Sequence, residues 1–311
     1  MVAGLAALIK GAGWLVVGAS DVATRFGVTP LAIGLTIVSF GTSMPELLVT
    51  MISGLRGNPD LAIGNVIGSN IANVLLVLGI AAMIRPLPVQ DSTVMSEIPF
   101  SLTAALLVGF LANAALFSGH PELTISRLDG VILLFFFLLF MLYVYKISRH
   151  ANHYDEAPAM QGSALRPGIY IVVGIVALFF GGQWVVDAAV GMAASWGIED
   201  AIIGLTVVAI GTSSPELVAS AVAAWRGQAD IAVGNVVGSN IFNLLWILGI
   251  TSAMVELPFK VVNNADLVLV IGASSILILA LVSNGRRAIL RWHGIVFVVL
   301  YLIYLSWVVV R

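Results

Sequence analysis

Residues 34–47 read GLTIVSFGTSMPEL, and residues 204–217 read GLTVVAIGTSSPEL. A second matching pair follows them, GNVIGSNIANVLLVLGI at 64–80 and GNVVGSNIFNLLWILGI at 234–250. The two copies align from residue 33 to residue 80 of the first copy at a constant offset of 170, with 27 identities in 48 positions. Because the identities include Gly, Thr, Ser, Pro, Glu and Asn as well as apolar residues, they indicate internal duplication rather than chance likeness between apolar helices.

The composition of the chain is that of a membrane protein. Of its 311 residues, 60% are hydrophobic and only 10% are charged, and the mean hydropathy is +1.07. A soluble domain carries about 25% charged residues, so this chain cannot cover a water-facing surface. The net charge of −2 provides no basic patch for nucleic acid. The absence of cysteine excludes disulfides, thiolate metal sites and cysteine nucleophiles.

Apolar runs of about 20 residues, long enough to cross a bilayer as a helix, occur ten times. The one clearly polar stretch, 148–166, divides them into two sets of five. We therefore expect an all-α membrane protein with a five-helix repeat over 1–147, a cytoplasmic linker over 148–166 and a second five-helix repeat over 167–311. The predicted spans lie near 3–24, 29–55, 61–84, 96–117, 128–147, 168–192, 201–225, 231–254, 265–283 and 289–310.

The number of spans in each half predicts how the halves are oriented. Five is odd, so the second half enters the membrane from the opposite side, and the two motif copies approach the midplane from opposite faces. Lys and Arg favour cytoplasmic loops. With both termini outside and the linker inside, nine of the 14 basic residues lie in the cytoplasm. A duplicated scaffold without transport is the alternative, but it gives no reason to duplicate polar residues at membrane depth.

Each copy carries one glutamate inside a predicted span, Glu46 in the second and Glu216 in the seventh. A charge at the bilayer centre costs roughly 2.5–3.5 kcal/mol on insertion scales and normally has a partner. Every Lys and Arg lies at a predicted span end or loop, apart from Lys10 near the start. The counter-charge is therefore expected to be a bound ion or a proton. Two permanently protonated carboxyls are the structural alternative.

Oxygen donors accompany each glutamate at helical spacing. Positions three and four apart on a helix share a face. Pro45 and Pro215 also deprive the carbonyls four residues earlier of a hydrogen-bond donor, which predicts broken helices that line a cavity. The candidate ligands besides the glutamates are Thr42, Ser43, Ser69 and Asn73 in the first copy, and Thr212, Ser213, Ser239 and Asn243 in the second.

The chemistry of this set predicts the class of ion. Carboxylate, hydroxyl, amide and carbonyl oxygens suit hard cations such as Ca²⁺, and hydroxyls and carbonyls also suit Na⁺. Two carboxylates neutralise one divalent ion. Mg²⁺ fits less well, because it demands octahedral geometry and releases water reluctantly. Taken singly, the hydroxyls could instead bond to their own helix backbone and the glycines could serve close helix packing.

These motifs resemble those of a known family. Gly41-Thr-Ser-Met-Pro-Glu46 and Gly211-Thr-Ser-Ser-Pro-Glu216, each followed by Gly-Asn-Val-x-Gly-Ser-Asn-Ile-x-Asn, closely resemble the two alpha repeats of the sodium/calcium exchanger family, in its prokaryotic form. The resemblance implies ten spans in two inverted repeats, with Ca²⁺ held by Glu46 and Glu216. It also implies Na⁺ sites that use Thr42, Ser43, Ser69, Thr212, Ser213 and Ser239, with backbone carbonyls near Ser39 and Ala209.

The resemblance further implies a secondary active antiporter, not an enzyme, that exchanges Ca²⁺ for Na⁺ by alternating access, with the first and sixth spans sliding across the rest. Its partners would be inorganic cations and the lipid bilayer of the cell membrane, with no cofactor and no nucleic acid. A monomer is compatible with this mechanism. No His-Glu-x-x-His motif or convincing intramembrane nucleophile favours an enzyme.

The motifs also bear on the identity of the counter-ion. Asn73 and Asn243 are both amides, whereas many relatives carry an Asp in the second half, which weakens the case for K⁺ co-transport. The proton-coupled branch typically has Gly-Asn-x-x-Glu where this chain has Gly-Thr-Ser-x-Pro-Glu, which favours Na⁺. A Ca²⁺/H⁺ exchanger, a potassium-dependent exchanger and a channel are the alternatives.

Overall fold

The computed structural model describes residues 1–118, 123–149, 165–195, 209–283 and 287–310. These residues are mostly helical. In chain order the helices are α1 (Val2–Phe26), α2 (Pro30–Thr42), α3 (Met44–Leu55), α4 (Pro59–Ile84), α5 (Asp91–Ala112), α6 (Arg127–Arg149), α7 (Leu165–Ser195), α8 (Ala209–Thr212), α9 (Ser214–Trp225), α10 (Ala229–Met254), α11 (Asn263–Ser283) and α12 (Arg291–Val310), with a single extra turn at Ala115–Ser118.

Within the described ranges, eight helices are long and apolar enough to cross a membrane, and the bent pair of α2 and α3 is a ninth candidate. The eight are α1, α4, α5, α6, α7, α10, α11 and α12. The predicted span 201–225 corresponds to α8 and α9, and its residues 201–208 lie outside the described residues. Most of the predicted linker, residues 150–164, also lies outside them. The count of ten spans therefore stays a prediction.

The break expected near Pro45 and Pro215 occurs two residues before each proline, at Ser43 and Ser213. Ser43 has φ −84° and ψ 11°, and Ser213 has φ −84° and ψ 7°. The axes of α2 and α3 differ by 49°. Each proline therefore starts a new helix, as its missing N–H allows, and Glu46 and Glu216 lie in the first turns of α3 and α9. A carboxylate is favoured there because unpaired N–H groups point outward from a helix start.

Among the residues that the structure describes, three helices contain π-helical segments, which the sequence analysis did not predict. They cover Gly34–Val38 in α2, Asn73–Val77 in α4 and Phe242–Ile247 in α10. A π-helical turn accommodates one extra residue and occurs mostly at functional sites. The segments in α4 and α10 include Asn73 and Asn243, two of the predicted ligands.

Contacts between the halves are reciprocal. Strand β1 (Leu87–Pro88) pairs antiparallel with β4 (Ala288–Ile289), and β2 (Thr124–Ile125) pairs with β3 (Leu257–Pro258), so each ladder joins one half to the other. A second reciprocal pair lies beside them. Gln90 Nε2 donates to Asp230 Oδ2 at 2.7 Å, and Lys260 forms an ion pair with Asp60. The four positions are related by the same offset of 170 residues, as a two-fold relation between the halves requires.

Helices α4 and α10 lie at the centre of the molecule. In the most apolar 18-residue stretch of each helix, 72% and 94% of the residues are buried, respectively. Helix α10 crosses α2 closely, because Gly34 and Gly234 face each other at the crossing. A Cβ on Gly238 would lie 2.7 Å from the carbonyl oxygen of Leu35 and closer still to the hydroxyl of Ser39. The absence of side chains at these glycines therefore lets the helix with Ser239 and Asn243 reach the broken helix with Ser43.

We predict that Gly238→Ala destabilises the protein by at least about 2 kcal/mol, because the added methyl group collides with the α2 backbone. The measurement is thermal unfolding of the purified protein in detergent. The matched control is Gly272→Ala in α11, where a Cβ would meet nothing within 4 Å. That change should be neutral or stabilising by up to about 1 kcal/mol, since Ala favours a helix interior. Equal stability of the two variants would contradict the close crossing.

Candidate cation site

Glu46 and Glu216 are buried close to each other, and each is only 1% exposed. Their hydrogen bonds cross between the halves. The Ser213 hydroxyl donates to Glu46 Oε1 at 3.2 Å, and the Ser43 hydroxyl donates to Glu216 Oε1 at 2.9 Å. Among the described residues the ion pairs are Lys260–Asp60 and Arg287–Asp91, so neither buried glutamate is paired with a basic side chain there. This agrees with the expectation from the sequence that the counter-charge comes from outside the chain.

Five of the six predicted hydroxyl residues lie at the two carboxylates. Ser43 Oγ also lies within hydrogen-bond distance of Ser239 Oγ, at 3.0 Å. Ser69 lies beside the Glu46 carboxylate, and Thr42 and Ser239 lie beside that of Glu216. All six predicted hydroxyl residues are buried in the protein, namely Thr42, Ser43, Ser69, Thr212, Ser213 and Ser239.

The structure describes the surroundings of one predicted backbone ligand, the carbonyl of Ser39, more fully than those of the other, at Ala209. The carbonyl of Ser39 accepts from the Ser43 N–H at 2.9 Å and from the Thr42 hydroxyl at 3.4 Å, so it already has partners on its own helix. The Ser39 hydroxyl donates to the carbonyl of Asn235 in α10 at 3.0 Å or to that of Gly34 at 2.6 Å. Ala209 is the first residue of α8, and its side chain lies outside the described residues. A role for these carbonyls therefore stays a prediction.

Two asparagines that the sequence analysis did not single out hold the glutamate-bearing helices in place. Asn65 Nδ2 donates to the backbone carbonyl of Glu46 at 3.2 Å and to the Thr50 hydroxyl at 2.9 Å. Asn235 Nδ2 likewise lies 3.5 Å from the Glu216 carbonyl and 3.0 Å from the Ser220 hydroxyl. The signal was available, because Asn65 and Asn235 are identical at the repeat offset.

A second group of asparagines lies where α4 meets α10. Asn73 Nδ2 donates to Asn240 Oδ1, and Asn243 Nδ2 donates to Asn70 Oδ1, both at 3.1 Å. The predicted ligands Asn73 and Asn243 are therefore both at the interface, at most 1% exposed. Their partners Asn70 and Asn240 were not predicted to matter, although they are identical in the two copies.

Four oxygen atoms in this region are buried without a hydrogen-bond partner among the described residues. They are Glu46 Oε2, Glu216 Oε2, Asn73 Oδ1 and Asn243 Oδ1, two from each half. Buried polar atoms are nearly always paired, and an uncompensated carboxylate is especially costly. Amide and ionised carboxylate oxygens can only accept, so each of these atoms can take either a hydrogen-bond donor or a cation. Oxygen-only donors with two negative charges suit a hard divalent ion.

Comparison with known proteins agrees with this chemistry. A family model described as sodium/calcium exchanger protein matches residues 1–146 and 167–310. A putative antiporter CaxA from Alkalimonas amylolytica is 34% identical and aligns over 97% of this chain and 95% of its own. The sodium/calcium exchanger MaX1 from Methanosarcina acetivorans is 30% identical over 97% of this chain and 95% of its own.

A solved structure shares the fold. The sodium-calcium exchanger NCX_Mj, soaked with 10 mM Na⁺ and zero Ca²⁺, superposes with a TM-score of 0.83 at 31% identity. The match covers 98% of this chain and 96% of that one. The arrangement of helices described above is therefore that of a known cation exchanger along almost its whole length.

Proposed function

We propose, because this chain belongs to the sodium/calcium exchanger protein family, that its buried oxygen cluster binds Ca²⁺ and Na⁺ in turn and so exchanges them across the cell membrane. The family consists of transporters, and the family model, the named relatives and the solved structure support a cation/Ca²⁺ antiporter. The observation that carries the proposal for this chain is the pair of unpartnered Oε2 atoms of Glu46 and Glu216.

In this proposal Ca²⁺ is held by both glutamates together. One divalent ion is neutralised by two carboxylates, and the unpartnered amide oxygens of Asn73 and Asn243 complete a set of ligands from both halves. Na⁺ carries half the charge and is served by hydroxyl and carbonyl oxygens beside a carboxylate. Its proposed ligands are Thr42, Ser43, Ser69, Thr212, Ser213 and Ser239, with the carbonyls of Ser39 and Ala209.

Transport of the two ions is coupled in this proposal because both ions use the same two carboxylates. Ser43 and Ser213 are hydrogen-bonded to the carboxylates that Ca²⁺ needs, so a Na⁺ ion at these hydroxyls draws on the same negative charge. The two ions therefore cannot both occupy the cluster fully. A gradient of one ion then drives the other when the site opens alternately to the two sides of the membrane.

We also propose ten spans in two inverted repeats, over 1–147 and 167–311, joined by the linker 148–166. The contact between Gln90 and Asp230 supports this count, because touching residues share one face of the membrane and an even number of crossings separates them. Three full-length helices, α5, α6 and α7, lie between them. A fourth crossing is therefore needed before α10, and α8 and α9 are its described part.

The alternative counter-ion is a proton, since the same two carboxylates could exchange Ca²⁺ for H⁺. A potassium-dependent exchanger is disfavoured by the two neutral amides, Asn73 and Asn243. The hydroxyl groups hydrogen-bonded to each glutamate favour Na⁺, because a proton on a carboxylate needs no ring of oxygen donors around it.

We predict that an opposing Na⁺ gradient drives Ca²⁺ flux through the purified protein. The measurement is ⁴⁵Ca²⁺ uptake into proteoliposomes with Na⁺ inside and choline or K⁺ outside, at equal pH on both sides. Uptake should stop when the Na⁺ gradient is collapsed and should not respond to external K⁺. Uptake that ignores Na⁺ and follows an imposed pH gradient would instead identify a Ca²⁺/H⁺ exchanger.

We predict that Glu46→Gln and Glu216→Gln each reduce Ca²⁺ flux at least about 100-fold, because one carboxylate leaves a buried divalent ion half neutralised. Glutamine keeps the size of the side chain and should leave the protein folded. The matched control is Glu97→Gln in α5, another glutamate with no exposed surface, which accepts a hydrogen bond from Tyr143 at 2.5 Å outside the cluster. It should retain flux within about threefold of the unmodified protein. Full activity of either cluster variant would show that its carboxylate does not bind Ca²⁺.

We predict that both termini and the Arg56 loop lie outside, and that the linker and the Arg226 loop lie in the cytoplasm. The chain has no cysteine, so single cysteines at positions 56 and 226 report their own accessibility. In intact cells a membrane-impermeant maleimide should label position 56 and should reach position 226 only after permeabilisation. Labelling of both from the same face would rule out the inverted repeat.

A further inference from the structure

Four asparagines at the meeting point of α4 and α10 form a closed hydrogen-bonded set. Asn70 and Asn240 each donate from Nδ2 to the other's backbone carbonyl, at 3.3 Å and 3.4 Å. Their Oδ1 atoms accept from Asn243 and Asn73, both at 3.1 Å. All four side chains are at most 2% exposed, so bulk solvent does not reach them.

The backbone carbonyls decide which way each amide points. A carbonyl oxygen can only accept, so the group that faces it must be the NH₂ of the opposite asparagine. With Nδ2 of Asn240 committed to the Asn70 carbonyl, its Oδ1 is turned toward Asn73. The same argument turns Oδ1 of Asn70 toward Asn243. Flipping either amide would set oxygen against oxygen and NH₂ against NH₂.

The orientation passes on to the two predicted ligands. Because Asn240 presents an acceptor, Asn73 donates from its NH₂ group. The Oδ1 atom of Asn73 therefore points away from Asn240. Asn243 is turned by Asn70 in the same way. These two Oδ1 atoms are buried and have no hydrogen-bond partner among the described residues. An amide oxygen attracts a cation, whereas an amide NH₂ in its place would repel one.

We infer that Asn70 and Asn240 are positioning residues that turn oxygen rather than nitrogen of Asn243 and Asn73 toward the transported cation. The effect runs crosswise, since each half orients the ligand of the other half. This inference rests on the proposed function, because it concerns the same cation site. The alternative is that the four asparagines only pack α4 against α10. In that case it would not matter which asparagine is paired with which.

The first test removes one positioning residue. Asn240→Ala takes away the acceptor for Asn73, whose amide can then rotate and present its NH₂ to the ion. We expect Ca²⁺ binding, measured by titration of the purified protein, to weaken roughly tenfold. The Ca²⁺ concentration that gives half-maximal uptake should therefore rise. The maximum uptake rate, measured at saturating Ca²⁺, should change much less.

The decisive test is crosswise rescue. A carboxylate presents an oxygen whichever way it rotates, so Asn73→Asp should restore Ca²⁺ binding to the Asn240→Ala variant. In the otherwise unmodified protein the same change should improve binding far less, because its second oxygen would face Asn240 Oδ1. The added charge is common to both backgrounds and cancels in the double-mutant cycle.

The matched control lies in the same repeat. Asn73→Asp should give no such rescue of Asn70→Ala, because Asn70 orients Asn243, whereas Asn243→Asp should rescue Asn70→Ala. This mirrored pair tests the inference independently if Asn240→Ala does not fold, and thermal unfolding reports folding in every variant. Rescue that is absent, or equal for crosswise and same-repeat pairs, would overturn the inference. Absence of Ca²⁺ binding in the unmodified protein would instead refute the proposed function itself.

Discussion

Two carboxylates are buried side by side at membrane depth, and the described part of the chain offers neither of them a basic partner. This single constraint explains much of the surrounding structure. Burial makes an unbalanced charge very costly, so in the proposed function a bound cation balances the two carboxylates, and a change of cation changes the balance of charge. The broken helices also stabilise the buried charge. Each break places a glutamate in the first turn of a new helix, where N–H groups stabilise its carboxylate. The glycines at the crossing of α2 and α10 then let the polar side chains of the two halves approach each other.

Side chains of each half form hydrogen bonds with the candidate ligands of the other half. The Ser43 hydroxyl supports Glu216, the Ser213 hydroxyl supports Glu46, and the asparagines are paired across the same interface. The two short strand ladders and the Gln90–Asp230 and Lys260–Asp60 contacts hold the halves together toward their ends. One half alone would contain a single carboxylate and an amide without its orienting partner. This explains why the polar residues of the motif are duplicated more faithfully than the apolar ones.

The sequence predicted much of this, and the reasons for its limits are physical. Hydropathy located the helices because the bilayer demands long apolar runs, and duplication identified Glu46, Glu216 and their hydroxyl neighbours. The π-helical segments were missed because their extra residue leaves the apolar pattern almost unchanged. Asn65, Asn70, Asn235 and Asn240 were missed because their importance depends on which atoms they meet across an interface, and periodicity within one helix carries no such information. The identity of these residues in both copies was the available signal.

In the proposed site one divalent cation is held jointly by Glu46 and Glu216. Anomalous X-ray diffraction from crystals soaked in Ca²⁺, or in Sr²⁺ as a stronger scatterer, tests this directly. We expect one strong peak between the two glutamates, roughly 2.3–2.6 Å from carboxylate oxygens of both halves for Ca²⁺, and its loss in Glu46→Gln and Glu216→Gln crystals. A peak bound by one half alone, or one that persists when both carboxylates are replaced, would contradict the account.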